Sequence, residues 1–157
     1  MKIKLLAIGK TDQPALNELI NIYQNRLKHY ITFEIEIISD VKNAKSLHQT
    51  HQKEKEGQLI LSKIQNGDVL ILLDEKGKQF RSVEFSDYLQ KKMNAATKQL
   101  VFVIGGPFGF SDAVYSFAHE KISLSKMTFS HQMIRLFLVE QLYRSYTILK
   151  NEPYHHE

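Results

Sequence analysis

The chain of 157 residues has no cysteine and no tryptophan, and only three prolines and seven glycines. Without cysteine there is no disulfide, no thiolate nucleophile and no cysteine-based zinc site. The longest unbroken aliphatic run is five residues, Val69 to Leu73, against about 20 for a helix that spans a bilayer. No transmembrane helix is expected. The amino terminus lacks the charged, then apolar, then small-residue order of a secretory signal, so the cytoplasm is the expected compartment. Charge of one sign is also scarce. Lys+Arg number 21 and Asp+Glu 17, a net +4, which points only weakly to a polyanionic partner.

Several motifs are missing too. No G-x-G-x-x-G or G-x-x-x-x-G-K-[ST] occurs, so dinucleotide and P-loop readings lose support. No G-x-S-x-G elbow presents a serine nucleophile. His48 and His51 have no companions at metal-ligand spacing, and His155 and His156 are adjacent; no metal is expected. What remains is an ordinary globular composition, 43% hydrophobic and 24% charged, with enough apolar material for one domain over residues 1–157.

Lys2 to Gly9 reads as a strand, and from Pro14 the residues Leu16, Leu19, Ile20, Tyr23 and Leu27 fall at helical spacing. Phe33, Ile35 and Ile37 alternate with Glu34 and Glu36, as in a strand near a sheet edge. The polar stretch Asp40 to Gln52 reads as a mobile connection into a helix over Lys53 to Ile64, weakened by Gly57. Asp68 to Asp74 and Leu100 to Ile104 are apolar runs of the kind that parallel strands covered on both faces require. Between them Ser82 is placed to cap a helix carrying Phe85, Leu89 and Met93, giving a crossover expected to be right-handed. Ser111 is placed to cap a short helix, and 121–124 reads as a short strand. A last helix spans about Ser130 to Lys150. This alternation predicts an α/β protein with a mostly parallel sheet flanked by helices. The last helix is apolar nearly all round, with Arg135, Glu140 and Arg144 as its charged interior positions. Such a helix must be covered all round, and a second copy of the chain is the economical cover, so a homodimer is expected.

Three loops follow strand ends, where ligands bind open α/β sheets. One is Gly105-Gly106-Pro107-Phe108-Gly109-Phe110, whose glycines admit close backbone approach; on its own it reads equally as a turn. Another is Asp74 to Lys78, which alone reads as a charged turn. The third is Leu124-Ser125-Lys126-Met127-Thr128-Phe129. Together they make a pocket. His131 and Arg135, spaced i, i+4 in the opening turns of the last helix, suit a phosphate or carboxylate, or are simply solvated or dimer-pairing cations. Glu140 and Arg144 read as a structural pair. The tail Pro153-Tyr154-His155-His156-Glu157 sets an aromatic ring beside two imidazoles, although chain ends like it are ordinarily frayed.

The runs IGGPFGF, LSKMTFSHQMIRLFLVEQLYRSYTI and PYHHE, in order with KIKLLAIGK, KEKEGQLIL and LLDEKGK, resemble the RlmH family. These are small ribosomal RNA large-subunit methyltransferases within the SPOUT methyltransferases. The resemblance spans the chain, with one departure: Phe108 stands where members often carry a glutamate or another polar residue. The resemblance implies a SPOUT fold with a carboxyl-terminal trefoil knot, a homodimer, and S-adenosylmethionine as methyl donor. The donor would lie against Leu73, Gly105, Leu124, Ser125, Lys126, Met127, Thr128 and Phe129. The implied substrate is a pseudouridine of large-subunit ribosomal RNA, methylated at N3 on the assembled ribosome. A neutral N3 holds a proton and is a poor nucleophile. His155, with Tyr154 positioning the base, is therefore expected to deprotonate or orient the uracil ring, while Arg135 and His131 engage RNA phosphate or base oxygens. The alternatives are a non-catalytic ribosome- or RNA-binding dimer, or a SPOUT methyltransferase acting on another RNA.

Overall fold

Apolar side chains on both faces of a strand require cover on both sides, and the sheet is built to supply it. The computed structural model describes residues 1–41 and 48–156. Five strands, β1 (Lys2–Ile8), β2 (Thr32–Ile38), β3 (Asp68–Gln79), β4 (Gln99–Ile104) and β5 (Glu120–Ser123), form one sheet. All pairings are parallel, in the order β2-β1-β4-β3-β5. The helices are α1 (Pro14–Leu27), α2 (Gln49–Leu61), α3 (Ser82–Asn94), α4 (Asp112–Phe117) and α5 (Met133–Leu149). Leu5, Ala7, Ile71, Phe102 and Ile104 face a core shared with α1, α3 and α5. Their neighbours Leu6, Ile8, Leu70, Leu72, Val101 and Val103 face the opposite core, with Ile60 of α2 and Val114 of α4. Each fully buried aliphatic side chain contributes about 1.5–3 kcal/mol of transfer free energy. The strand order sets the carboxyl ends of β4, β3 and β5 side by side, which is where loops converge.

Several boundaries differ from the sequence reading, each for a local reason. Residues 42–47 of the connection lie outside the described residues, and α2 begins at Gln49 rather than Lys53. Gly57 does not end that helix; a Cβ there would stand 2.2 Å from Ser111 Oγ, so glycine lets α2 approach α4. The cap of α3 is Arg81, whose N–H donates to the Glu84 carboxylate at 2.7 Å. Ser82 is the first helical residue and its hydroxyl donates to Gln141 Oε1 at 2.9 Å. Ser111 does cap α4, accepting from the Val114 N–H at 3.4 Å. The turn expected after Asp74 is instead strand: β3 continues to Gln79, and its pairing with β5 jumps between Leu73 and Lys78. The edge strand β2 buries Phe33 and Ile38, on opposite cores, and leaves Ile37 38% exposed, so its alternation breaks at the end.

The α5 helix lies in the core with α1 and α3. Leu138, Val139, Leu142 and Tyr146 are buried against the sheet, and among the described residues 134–149 none is exposed. One chain therefore already covers most of the surface that the sequence argument assigned to a second copy. No helix among the described residues is long and apolar enough to cross a membrane.

Candidate active site

The loops after β4 and β5 meet the middle of β3. A cavity of about 620 Å³ opens there, at the ends of β4 and β5 and beside Leu73 to Lys76 of β3, within the range of roughly 300–1,000 Å³ common for small-molecule sites. Its floor is apolar, from Ile104, Ile122 and Leu124, and its wall is the backbone of Gly105 and Gly106. Leu73, Ser125, Met127, Thr128, Phe129 and His131 also line it. Of the expected donor-site residues, Lys126 alone is absent from the lining.

The glycines follow from the space. At Gly105 a Cβ would lie 3.0 Å from the Phe110 ring, and at Gly106 one would lie 2.5 Å from a Glu56 carboxylate oxygen. Gly109 turns the loop at φ +76°, where side chains are disfavoured. Across the opening, the Tyr115 hydroxyl of α4 donates to Asp74 Oδ2 at 2.5 Å. Burial and that carboxylate push the phenol up to about 12, so it remains a donor and ties the β3 end to α4. Ser125 Oγ accepts from the Met127 N–H at 2.9 Å, and the Ser123 hydroxyl donates to the Ser125 carbonyl at 2.7 Å, which fixes the third loop. Tyr115 was missed in the sequence, where nothing marks a tyrosine of a short helix as the partner of an acid 41 residues earlier.

Arg135 and His131 are arranged differently from expectation. His131 precedes α5, and its carbonyl accepts from Arg135 Nε at 3.1 Å. Arg135 is 1% exposed. Its other nitrogens donate to Ile8 O at 2.7 Å and Thr11 Oγ1 at 3.0 Å. The guanidinium thus clamps the end of β1 to the start of α5 and is shielded from the solvent side, where an RNA phosphate would have to meet it. Burial lowers its proton affinity, opposed by the charges of Asp12 and Asp40. Arg135 is not among the residues that line the cavity, whereas exposed His131 is.

The tail is docked. Asn151, at φ +54°, ends α5 in the left-handed conformation that asparagine tolerates, and the Glu152 N–H returns to the Thr147 carbonyl at 2.9 Å. The chain then folds back along α5. The Tyr154 hydroxyl reaches Glu140 Oε1 at 3.0 Å and Tyr23 Oη at 3.3 Å, and its ring stands 4.8 Å from that of Tyr143. Burial and those two oxygens raise its pKa, so the phenol is neutral. Arg144 bonds Glu140 Oε1 at 2.6 Å, as the i, i+4 spacing predicted, and lies over the Tyr154 ring. Arg144 Nη1 is also 3.3 Å from His155 Nδ1. Arginine only donates, so Nδ1 accepts and the neutral imidazole carries its proton on Nε2. That Nε2 is buried with no partner among the described residues. Neither Tyr154 nor His155 lines the cavity of its own chain. Glu140, which anchors the tail, is about 9 Å along α5 from Ile134 and turned about 120° from it, while Ile134 lines the cavity.

Residues 1–155 match the family model described as "Predicted SPOUT methyltransferase". The chain belongs to the SPOUT methyltransferase family. Within the family it is 68% identical over 157 residues to a ribosomal RNA large subunit methyltransferase H of Flavobacterium psychrophilum, and 66% identical to that of Parabacteroides distasonis, all of both chains being covered in each case. It is 65% identical over 156 residues to the one of Christiangramia forsetii, covering 99% of each chain. The fold agrees as well. A probable methylase family protein from Haemophilus influenzae superposes with a TM-score of 0.52 at 11% identity, over 99% of this chain and 70% of that one.

Proposed function

We propose that this single-domain SPOUT methyltransferase takes a methyl group from S-adenosylmethionine and places it on N3 of a pseudouridine in large-subunit ribosomal RNA. It does so as a cytoplasmic homodimer on the assembled ribosome. The observation that carries the reading is the cavity walled by Gly105 and Gly106 between the ends of β4 and β5 and the middle of β3, in a chain of this family. The cavity suits the donor in size. Its glycine backbone and apolar floor suit a flat heterocycle, and the backbone of Leu124 and Thr128 on the lining offers that heterocycle's edge polar partners. Leu73, Gly105, Leu124, Ser125, Met127, Thr128 and Phe129 would hold it, within the knot that the family resemblance implies. When bound, the donor supplies an electrophilic methyl on a sulfonium.

The protein's share of the chemistry is positioning and proton handling. N3 must lose its proton as it attacks, and an imidazole within hydrogen-bond reach of it suits that task. With Nδ1 accepting from Arg144 and the proton on Nε2, the ring as it stands orients the base; His155 takes the N3 proton on Nδ1 once RNA binding draws Arg144 away. Tyr154, neutral and held by Glu140 and Tyr23, offers a ring for the base to lie against. Since Tyr154 and His155 sit on another face of α5 from their own cavity, the tail of one protomer is assigned to the cavity of its partner. Apolar side chains around the cavity mouth support such a contact: Met127 is 74% exposed, and Phe108, Phe129 and Met133 are also exposed. An enzyme with net charge +4 grips free RNA weakly, so the ribosome's shape supplies the rest of the recognition.

His155→Ala is expected to lower turnover about 100-fold, the scale of a lost general base, with donor affinity unchanged within about twofold. Single-turnover methylation and calorimetry of the same preparation measure the two. Equal losses in both would overturn the assignment of His155.

A further inference from the structure

Beneath the glycine loop lies an acid that the reaction above leaves unused. Glu56 of α2 is 3% exposed. Its Oε1 accepts from Gln52 Nε2 at 2.8 Å, while Oε2 is buried without a hydrogen-bond partner among the described residues. Both oxygens abut Gly106, where a Cβ would stand 2.5 Å from Oε2 and 2.8 Å from Oε1. Gly106 also lines the cavity. A glycine, with no side chain to intervene, thus stands between the carboxyl group and the cavity. The next residue, Gly57, is pressed against Ser111 of the α4 cap, so α2 holds Glu56 against the loop. Burial pushes the Glu56 carboxyl up, and the Asp40 charge adds to this; the Gln52 bond and His131 oppose it.

Burial alone favours the neutral acid, and a cation in the cavity favours the carboxylate, so the charged form of Glu56 and a bound sulfonium stabilise one another. We infer that Glu56 is the counter-charge by which the cavity favours a cationic sulfonium over the uncharged thioether it becomes, acting across Gly106. The inference rests on the donor reading above. Of the other carboxylates on the lining, Glu75 is exposed, so its effect on a ligand charge is screened, and Asp74 is partly exposed and already bonded by Tyr115. Glu56 is shielded from solvent, so its field reaches the cavity with less loss. In the transfer, the sulfur–methyl bond breaks with its electron pair left on sulfur, the methyl bonds to N3, and the N3 proton goes to the base. The sulfonium charge disappears in that step. Attraction to Glu56 ends with it, and product leaves more readily than donor.

Calorimetric titration of the full chain with S-adenosylmethionine and, separately, with S-adenosylhomocysteine tests this at one pH. Glu56→Gln is expected to weaken the sulfonium ligand about tenfold and leave the thioether unchanged within about twofold. Glu56→Met, which keeps volume and removes every polar atom, is expected to give the same change in ratio. It also carries the test if the glutamine variant does not fold, since apolar replacement of a buried charge is commonly tolerated. A ratio unchanged in both variants, whether the two ligands weaken alike or not at all, would reduce Glu56 to packing and overturn the inference. If neither ligand binds the unaltered protein, the donor reading itself fails and this inference falls with it.

Discussion

Gly105→Leu is expected to weaken S-adenosylmethionine binding by at least about 100-fold, equivalent to about 2.7 kcal/mol. The first added carbon would already stand 3.0–3.3 Å from the Phe110 ring, closer than side chains normally sit. Phe110 is 5% exposed and packs in the second core with Val114, so it yields little. The remaining carbons of leucine must then enter the cavity, whose wall at this point is glycine backbone. Calorimetry measures the loss. Thermal unfolding of the same variant separates a filled cavity from a damaged fold, since overpacking one loop position costs about 1–3 kcal/mol. A variant that is folded and binds with native affinity would place the donor elsewhere.

Gly77→Ala is expected to cost about 3 kcal/mol of stability and to abolish donor binding as well. Here the added carbon would lie 2.5–2.7 Å from the carbonyl carbon, nitrogen and Cα of Ile122. Backbone atoms have no rotamer to change, so β3 and β5 must separate. The separation occurs where β3 jumps register between Leu73 and Lys78, and Ile122, Ser123 and Leu124 carry the third wall of the cavity. Urea unfolding gives the stability change. A variant within about 0.5 kcal/mol of the native chain, as at an ordinary surface position, would show that the close approach at Gly77 does not matter.

Gly77 also shows where the sequence is hard to read. DEKGK has the composition of a charged turn, and no local pattern reveals that a neighbouring strand presses on its glycine. The buried strands were legible because two-sided cover demands continuous apolar residues, as in Asp68 to Leu73 and Leu100 to Ile104. The convergence of the loops after β4 and β5 was legible for the same reason, since topology decides where parallel strands end, but the third wall is the continuing strand β3. Arg135 was misread because i, i+4 spacing reports only which helix face a side chain leaves. Its acceptors, Ile8 and Thr11, lie more than 120 residues away. The docking of the tail against α5 was not legible, because it depends on one left-handed residue, Asn151, and on partners such as Tyr23 and Glu140 that no short window contains. The pairing of Glu140 with Arg144 was legible since both partners lie in a single helix.

Methylation of ribosomes decides the central claim most directly. Large subunits that lack the modification, incubated with the full chain and methyl-labelled S-adenosylmethionine, are digested to nucleosides and separated. The account predicts label in N3-methylated pseudouridine, in large-subunit RNA, and with assembled ribosomes favoured over naked RNA. Label on a ribose or another base would contradict the assigned acceptor. Transfer to naked RNA at an equal rate would contradict recognition of the assembled particle, and absence of any label would contradict the reaction itself.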